Sequence, residues 1–502
     1  MSADLVPTEK LKQRQLKIQE KRKKTEWRDF LMEIASWQPV MLYKNQWFTS
    51  RYPETTRTQK ITSIWDFSWK RENMPFCDIW SSSLLTQYQE LSHKIPNANV
   101  LHDYINENAD FSDICYGAKN SYLSFSVWND AENVMYSNTV NTNVNNILDS
   151  FQVYNNSDNV ASSVYITESS NVYFSQNIHA SHWIRFSKDC IGSSNLILCS
   201  WLTNKSYCIE NIEYSPDEFM KKKKEILEQK KQYFIRQKKA KSQYVNIQST
   251  DSEGIWLVNC SNIYNGYFAN ACSNGHNVCI VDGTNHSDRL YDCFSIWLNC
   301  YDCYGFILWW TNCEHIYCST NIGTCTSIYY SNYLNNCSFC LWCIWLKNKS
   351  YCIFNKQYTK DERYDEVDKM FTKMEKDWQL WEFFPGSMNP FYFNDTAAYL
   401  IDPSFTKEEV TAKWYLRRDE PIKVDIPVGS TLVSTADLDQ YEWFDSEWNR
   451  TINADILKVV IQDEQDNYYR IIPMEYKFLV KHGLPLPRKH WLERMKDSFK
   501  IG

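Results

Sequence analysis

The chain has 502 residues with 18 Cys, 21 Trp and 12 Gly, and a net charge of −7. The charge excludes a globally cationic nucleic-acid binder, and the length exceeds what one ordinary core encloses. No apolar run approaches the ~18 residues of a membrane-spanning helix and no N-terminal apolar segment stands out, so a cytoplasmic protein with reduced thiols is expected.

Residues 1–98 open with a basic helix: Lys10, Lys12, Arg14, Lys17, Lys21, Arg22, Lys23 and Lys24, with Leu11, Leu16 and Ile18 between them. It reads first as a solvated face, and otherwise as a contact for an acidic partner or nucleic acid. An aromatic-rich mixed domain follows, with a helix near Leu84–Lys94.

Residues 99–210 change texture. A polar residue precedes an apolar one at Asn133-Val134, Asn146-Ile147, Asn159-Val160, Asn171-Val172, His182-Trp183, Asn195-Leu196 and Ser206-Tyr207, in steps of 13, 13, 12, 11, 13 and 11 residues. Weaker half-steps fall at Val140, Val153, Ile178, Cys190 and Trp201. Fixed-period similarity of short β-rich runs predicts a solenoid with polar corners. Trp183 and Phe186 read as inward and too large for a 12-residue coil. About 24 residues per turn, with parallel ladders between turns, is therefore expected.

Residues 211–243 form a basic helical insertion. Ser215-Pro216-Asp217-Glu218 is a capped helix start. Phe219, Ile226, Leu227 and Phe234 make one stripe, and Lys221, Lys222, Lys223, Lys224, Lys230, Lys231, Arg236, Lys238, Lys239 and Lys241 cover the rest. Residues 244–357 are a second array, registered by Asn299-Cys300, Asn312-Cys313, Thr324-Cys325 and Asn336-Cys337. A helix over 358–383 starts at Thr359-Lys360-Asp361-Glu362, with a stripe of Val367, Met370, Phe371, Met374, Trp378 and Trp381. Residues 384–450 are proline-punctuated and extended, and 451–502 form a small mixed unit.

The arrays are copies. Cys199 to Ile209 (CSWLTNKSYCI) returns at Cys343 to Ile353 (CIWLKNKSYCI), 144 residues on. The fold class is thus mainly β, a duplicated parallel β-solenoid with repeats of 11–13 residues, two helical braces and small mixed α/β terminal units.

Cys300 and Cys303, and Cys337, Cys340 and Cys343, have metal-ligand spacing, and thiolates so spaced can share one zinc ion. Inside a solenoid the same spacing also places small buried residues on successive faces, which needs no cofactor. On that reading Ser should cost more than Ala at Cys313, Cys325 and Cys337. His276, His286 and His315 read as corner residues. No phosphate-cradle, dinucleotide, zincin or hydrolase-elbow motif occurs. Asp288, Asp292 and Asp302 are acids that spacing does not force into a pair.

The Asn-Lys-Ser-Tyr-Cys-Ile motif with its helix start (204–218, 348–362), Lys119 to Phe125, Glu382 to Ala398 and Arg470 to His490 resemble a Cys-rich repeat family of ultra-small, host-dependent bacteria. The resemblance covers most of residues 95–490 and implies the same repeat architecture, with no activity. It also implies zinc-ribbon-like ends, from which this chain departs. Gln462-Asp463-Glu464-Gln465 and Lys489-His490-Trp491 stand where Cys pairs would. A metal-free unit held by Ile471, Ile472, Tyr476, Phe478 and Leu479, and dependent on docking, is expected.

Three functions remain open: a non-enzymatic scaffold or binding protein with a protein partner along the solenoid face, a nucleic-acid accessory protein acting through the basic helices, and a zinc-binding Cys array. One compositional oddity adds an expectation. Trp201 and Trp345 stand where the family has Gly, and Trp256 looks similar. Bacteria of this kind that read UGA as Gly would leave such Trp residues exposed or strained when the codon is translated as Trp.

Overall fold

The structure, a computed structural model, describes residues 9–228 except 23, 45–48, 54–55, 57, 61–74, 79–81 and 104. It describes short segments at 246–247, 255–258, 267–270, 275–277, 281–282, 291–292, 296–297 and 304–307, and then 314–499 except 381, 420–425, 427 and 447–448. Two compact units form, Met1–Asn99 with Gln243–Arg418, and Val100–Ser242 with Asp419–Gly502. Each therefore combines one array with flanking segments remote in sequence.

The first array is a parallel β-solenoid. Val164–Thr167 pairs with Phe151–Tyr154 below it and Gln176–His179 above it, while Ser170–Tyr173 pairs with Asp158–Ala161 and His182–Arg185. Phe151 lies beside Val164 and Val164 beside Gln176, so one turn takes 13 or 12 residues and carries two four-residue strands. The parallel ladders are as expected, but the coil is half the length expected.

A three-residue rule makes so small a coil possible. Every third residue turns left-handed, as at Asn159 (φ 55°), Ser162 (48°), Tyr165 (57°), Glu168 (50°), Asn171 (57°) and Phe174 (53°). The residue after each turn points inward. Val160, Ser163, Ile166, Ser169, Val172, Ser175, Ile178, Ser181, Ile184 and Ser187 are all buried. Four inward side chains fill each 12-residue coil, alternately apolar and serine.

Left-handed backbone costs roughly 1–2 kcal/mol at a non-glycine residue. The cost is offset because each turn returns its N–H to the coil below: Ser162 to the Leu148 carbonyl at 2.9 Å, Glu168 to Asn155 at 3.0 Å and Phe174 to Ala161 at 2.9 Å. At one corner asparagine amides also stack. Asn120 donates to Asn133, Asn133 to Asn146, Asn146 to Asn159 and Asn159 to Asn171, at 3.1–3.3 Å.

The inward serines form chains of their own. The Ser175 hydroxyl donates to the Tyr173 carbonyl at 2.9 Å and accepts the Ser187 N–H at 3.1 Å, and the Ser175 N–H is accepted by the Ser163 hydroxyl at 3.1 Å. The inward serine hydroxyls and the N–H groups they accept thereby meet partners, as burial requires. Between the serine ladders runs one continuous apolar stack from Ala109 to Cys208.

Trp183 and Phe186 occupy left-handed positions (φ 60° and 50°), not inward ones. Trp183 is 49% exposed, whereas Phe186 is buried on the flank against Ile197, Ile209 and Phe219. Taking His182-Trp183 as the polar–apolar pair slips the register by one residue, because Ile184 is the inward side chain.

The duplication is structural as well as textual. The Asn211 side chain accepts the Ser200 N–H and the Cys199 sulfur accepts the Asn211 N–H; Asn355, Ile344 and Cys343 repeat both bonds. A short antiparallel return closes each copy, Cys208 beside Glu213 and Cys352 beside Gln357. The helices Pro216–Glu228 and Lys360–Lys376 then begin on reciprocal caps, Ser215 with Glu218 and Thr359 with Glu362. Val367, Met370, Phe371 and Met374 form the expected buried stripe, but Trp378 lies past the helix end and is 73% exposed. Trp381 lies outside the described residues.

Candidate functional site

Cys337, Cys340 and Cys343 occupy three successive inward positions and are buried. Two kinds of slot hold them. Cys325, Cys337 and Cys343 stand in the serine ladder. The Cys325 sulfur accepts the Cys337 N–H at 3.2 Å, and the Cys337 thiol faces the Asn335 carbonyl at 3.3 Å, as Ser331 faces Tyr329. Cys340 stands in the apolar stack, paired in register with Ile328. Burial pushes the Cys343 thiol well above its ordinary range, and the Cys325 thiol beside it does the same to Cys337. These groups are poor nucleophiles, and a soft metal would have to displace their protons. Among the described residues, no three His, Cys, Asp or Glu side chains are grouped to hold a metal ion. Cys300, Cys303 and Cys313 lie outside the described residues.

The slots revise the expected cost of serine. Cys337→Ser places a hydroxyl in the slot that Ser193 fills in the first array, donating to the Ile191 carbonyl at 3.0 Å and accepting the Lys205 N–H at 3.1 Å, and is expected to stay within about 1 kcal/mol of the parent, whereas Cys340→Ser buries a hydroxyl in the apolar stack at about 1–3 kcal/mol. Urea midpoints of the two variants check this.

The basic helices differ. Glu9–Arg22 is solvated on one face, where Gln13, Leu16, Lys17, Glu20 and Lys21 are exposed, but its arginines lie on the other and are consumed internally. Arg14 is buried against Asp368 at 2.7 Å. Arg22 is buried between Asp292 at 2.7 Å and Glu33 at 2.6 Å. Burial pushes the Asp292 carboxyl up to about 6. On Pro216–Glu228, by contrast, Phe219 anchors the helix on the array while Lys221, Lys222 and Lys224 remain exposed. Lys223 is partly buried, 5.8 Å from the Trp183 ring, and burial lowers its pKa. Lys230, Lys231, Arg236, Lys238 and Lys239 lie outside the described residues.

The C-terminal unit docks on the first array. Met135, Leu148, Ala161 and Tyr173, stacked along one flank, share a core with Ile471, Phe478 and Leu479; Ile472 and Tyr476 pack against it. The two segments that lack Cys pairs are joined by a carboxylate. Asp463 accepts the N–H groups of Gln465, Asn467 and His490, at 2.9–3.1 Å, and the Asn467 side chain. Burial opposes its charge, but these donors outweigh it and hold the carboxyl below its ordinary range.

Sequence reasoning missed the centre of this docking surface. Arg494 sits between Asp149 and Glu475, with the Glu475 carboxylate at 3.1 Å and the Tyr136 ring 4.8 Å away. Arg494 and Asp149 are 345 residues apart, and no local pattern marks either. A cleft of about 250 Å³ opens beside the first coil between Asn108, Phe111, Tyr122 and Met474. The corner bearing Asn143, Asn156, Glu168 and Asn204 is exposed. No described helix is long and apolar enough to cross a membrane.

No protein-family model matches the chain, and no curated protein matches its sequence.

Proposed function

We propose that this chain is a non-enzymatic scaffold that binds a protein partner along the open corner of its first solenoid. The observation that carries this reading is the division of labour around the coil. The inside is filled by apolar and serine ladders, one flank is covered by the C-terminal unit, and the corner of Asn143, Asn156, Glu168, Ala180, Gly192 and Asn204 is exposed at five of its six coils and polar at four. Parallel coils lie about 4.8 Å apart, a spacing that suits an extended polypeptide better than a compact substrate. Affinity capture from the native cell with the parent chain and with Asn156→Arg/Glu168→Arg tests it. Loss of the captured protein in the variant is expected, and unchanged capture would sink the reading.

A second reading, contact with nucleic acid, draws support from exposed Lys221, Lys222 and Lys224. It loses the N-terminal helix, whose arginines are ion-paired within the protein. A gel shift with RNA and DNA at about 50 mM salt separates the two, since phosphate contacts strengthen steeply as salt falls. Zinc binding remains a proposal for metal analysis of anaerobically purified protein, and the serine-ladder slots favour packing. The family resemblance stays a proposal too, one that the doubled closing motif favours.

A further inference from the structure

Three helices end in the same way. After Pro473–His482, Gly483 turns left-handed at φ 61°; its N–H reaches the Val480 carbonyl at 3.3 Å and the Leu484 N–H reaches Leu479 at 2.9 Å. After Lys360–Lys376, Trp378 turns at φ 58°, with its N–H on Glu375 at 3.3 Å and the Gln379 N–H on Met374 at 2.8 Å. After Lys407–Ala412, Trp414 turns at φ 64°, with its N–H on Thr411 at 3.0 Å and the Tyr415 N–H on Val410 at 3.2 Å. The hydrogen-bond spacing is identical in all three.

This helix ending uses glycine at the left-handed position because a side chain there crowds the following carbonyl. Tryptophan brings that crowding and an apolar ring that the fold leaves in water: Trp378 and Trp414 are 73% and 77% exposed. The left-handed Trp residues of the arrays are a different case. There every third residue is left-handed and Tyr165, Phe174 and Tyr207 fill such positions too. Trp345 is buried and stacked 3.9 Å from Tyr333, so its environment does not call for glycine; Trp201 is 48% exposed, and the Trp256 side chain lies outside the described residues.

We propose that positions 378 and 414 are glycine in the protein its own cell makes, the two codons rendered here as Trp being read there as Gly. The chain's excess of Trp over Gly, 21 against 12, fits such a substitution. The exposed indoles at these helix ends are then no part of any binding surface.

Peptide mass spectrometry of the protein isolated from its native cell tests this directly. Glycine at both positions is expected, and tryptophan at either overturns the proposal. A recombinant comparison tests the same geometry. Trp378→Gly/Trp414→Gly is expected to melt higher than both the written chain and Trp378→Ala/Trp414→Ala, whereas Trp342→Gly, at a buried left-handed position stacked on Tyr330, is expected to melt lower. A glycine pair that melts no higher than the alanine pair would also overturn it.

Discussion

Arg494→Met is expected to destabilise the unit that holds the first array by about 3–5 kcal/mol, the usual cost of removing one partner from a buried ionic group. Arg494 is the cation between Asp149, 6% exposed, and Glu475, fully buried. Tyr136 donates to the other Glu475 oxygen at 3.3 Å. Without the guanidinium, two carboxylates share an apolar interface with no counter-charge. Asp149→Asn/Glu475→Gln in the Arg494→Met background should recover most of the loss, because the charges that needed the arginine are gone. Urea unfolding of the three proteins checks this, and a loss below about 1 kcal/mol for Arg494→Met would remove the cluster from the account of docking.

The same cluster sets a pH dependence. Burial raises the Asp149 carboxyl to about 7 despite Arg494, and it raises Glu475 as well. A carboxyl whose folded pKa lies above its unfolded value contributes stability that is complete below about pH 4 and is lost as pH rises through the folded value. This contribution should therefore decline between about pH 4 and pH 7.

Ile178→Ala is the second large effect, at about 2–5 kcal/mol, because the tube has no second layer that can collapse into the space. Ile178 is fully buried and registers with Ile166 below and Cys190 above. Three residues on, Ser181→Ala should cost about 1–3 kcal/mol for a different reason: the hydroxyl accepts the Ser193 N–H at 3.0 Å, and alanine leaves that donor buried without its acceptor. Thermal melts of both variants check the pair.

The architecture was legible because its repeat is short. The steps of 12 and 13 marked parallel coils, and the half-steps at Val140, Val153, Ile178 and Cys190 marked inward positions. Coil size was misread for an identifiable reason. One large apolar residue, Trp183, occupies a left-handed slot that asparagine fills at 159, 171 and 195. Hydrophobicity alone assigned its ring to the core. Glycine fits a left-handed corner most easily, yet ladder hydrogen bonds let Asn, Tyr and Phe serve there. The thiols followed the same logic: their spacing of three is the spacing of inward residues. The Arg494 and Arg22 clusters were illegible because each unites groups from distant segments, and charge runs suggested solvated helices instead.

The 12- to 13-residue coil is tested most directly by the distance between nitroxide labels at Asn156→Cys and Asn204→Cys. Both positions are exposed, left-handed corners, and every described native Cys is buried. Four coils separate them, so pulsed electron-spin measurements should give about 19 Å along the axis at ~4.8 Å per coil. A separation near 10 Å, two coils of about 24 residues, would contradict the coil described here.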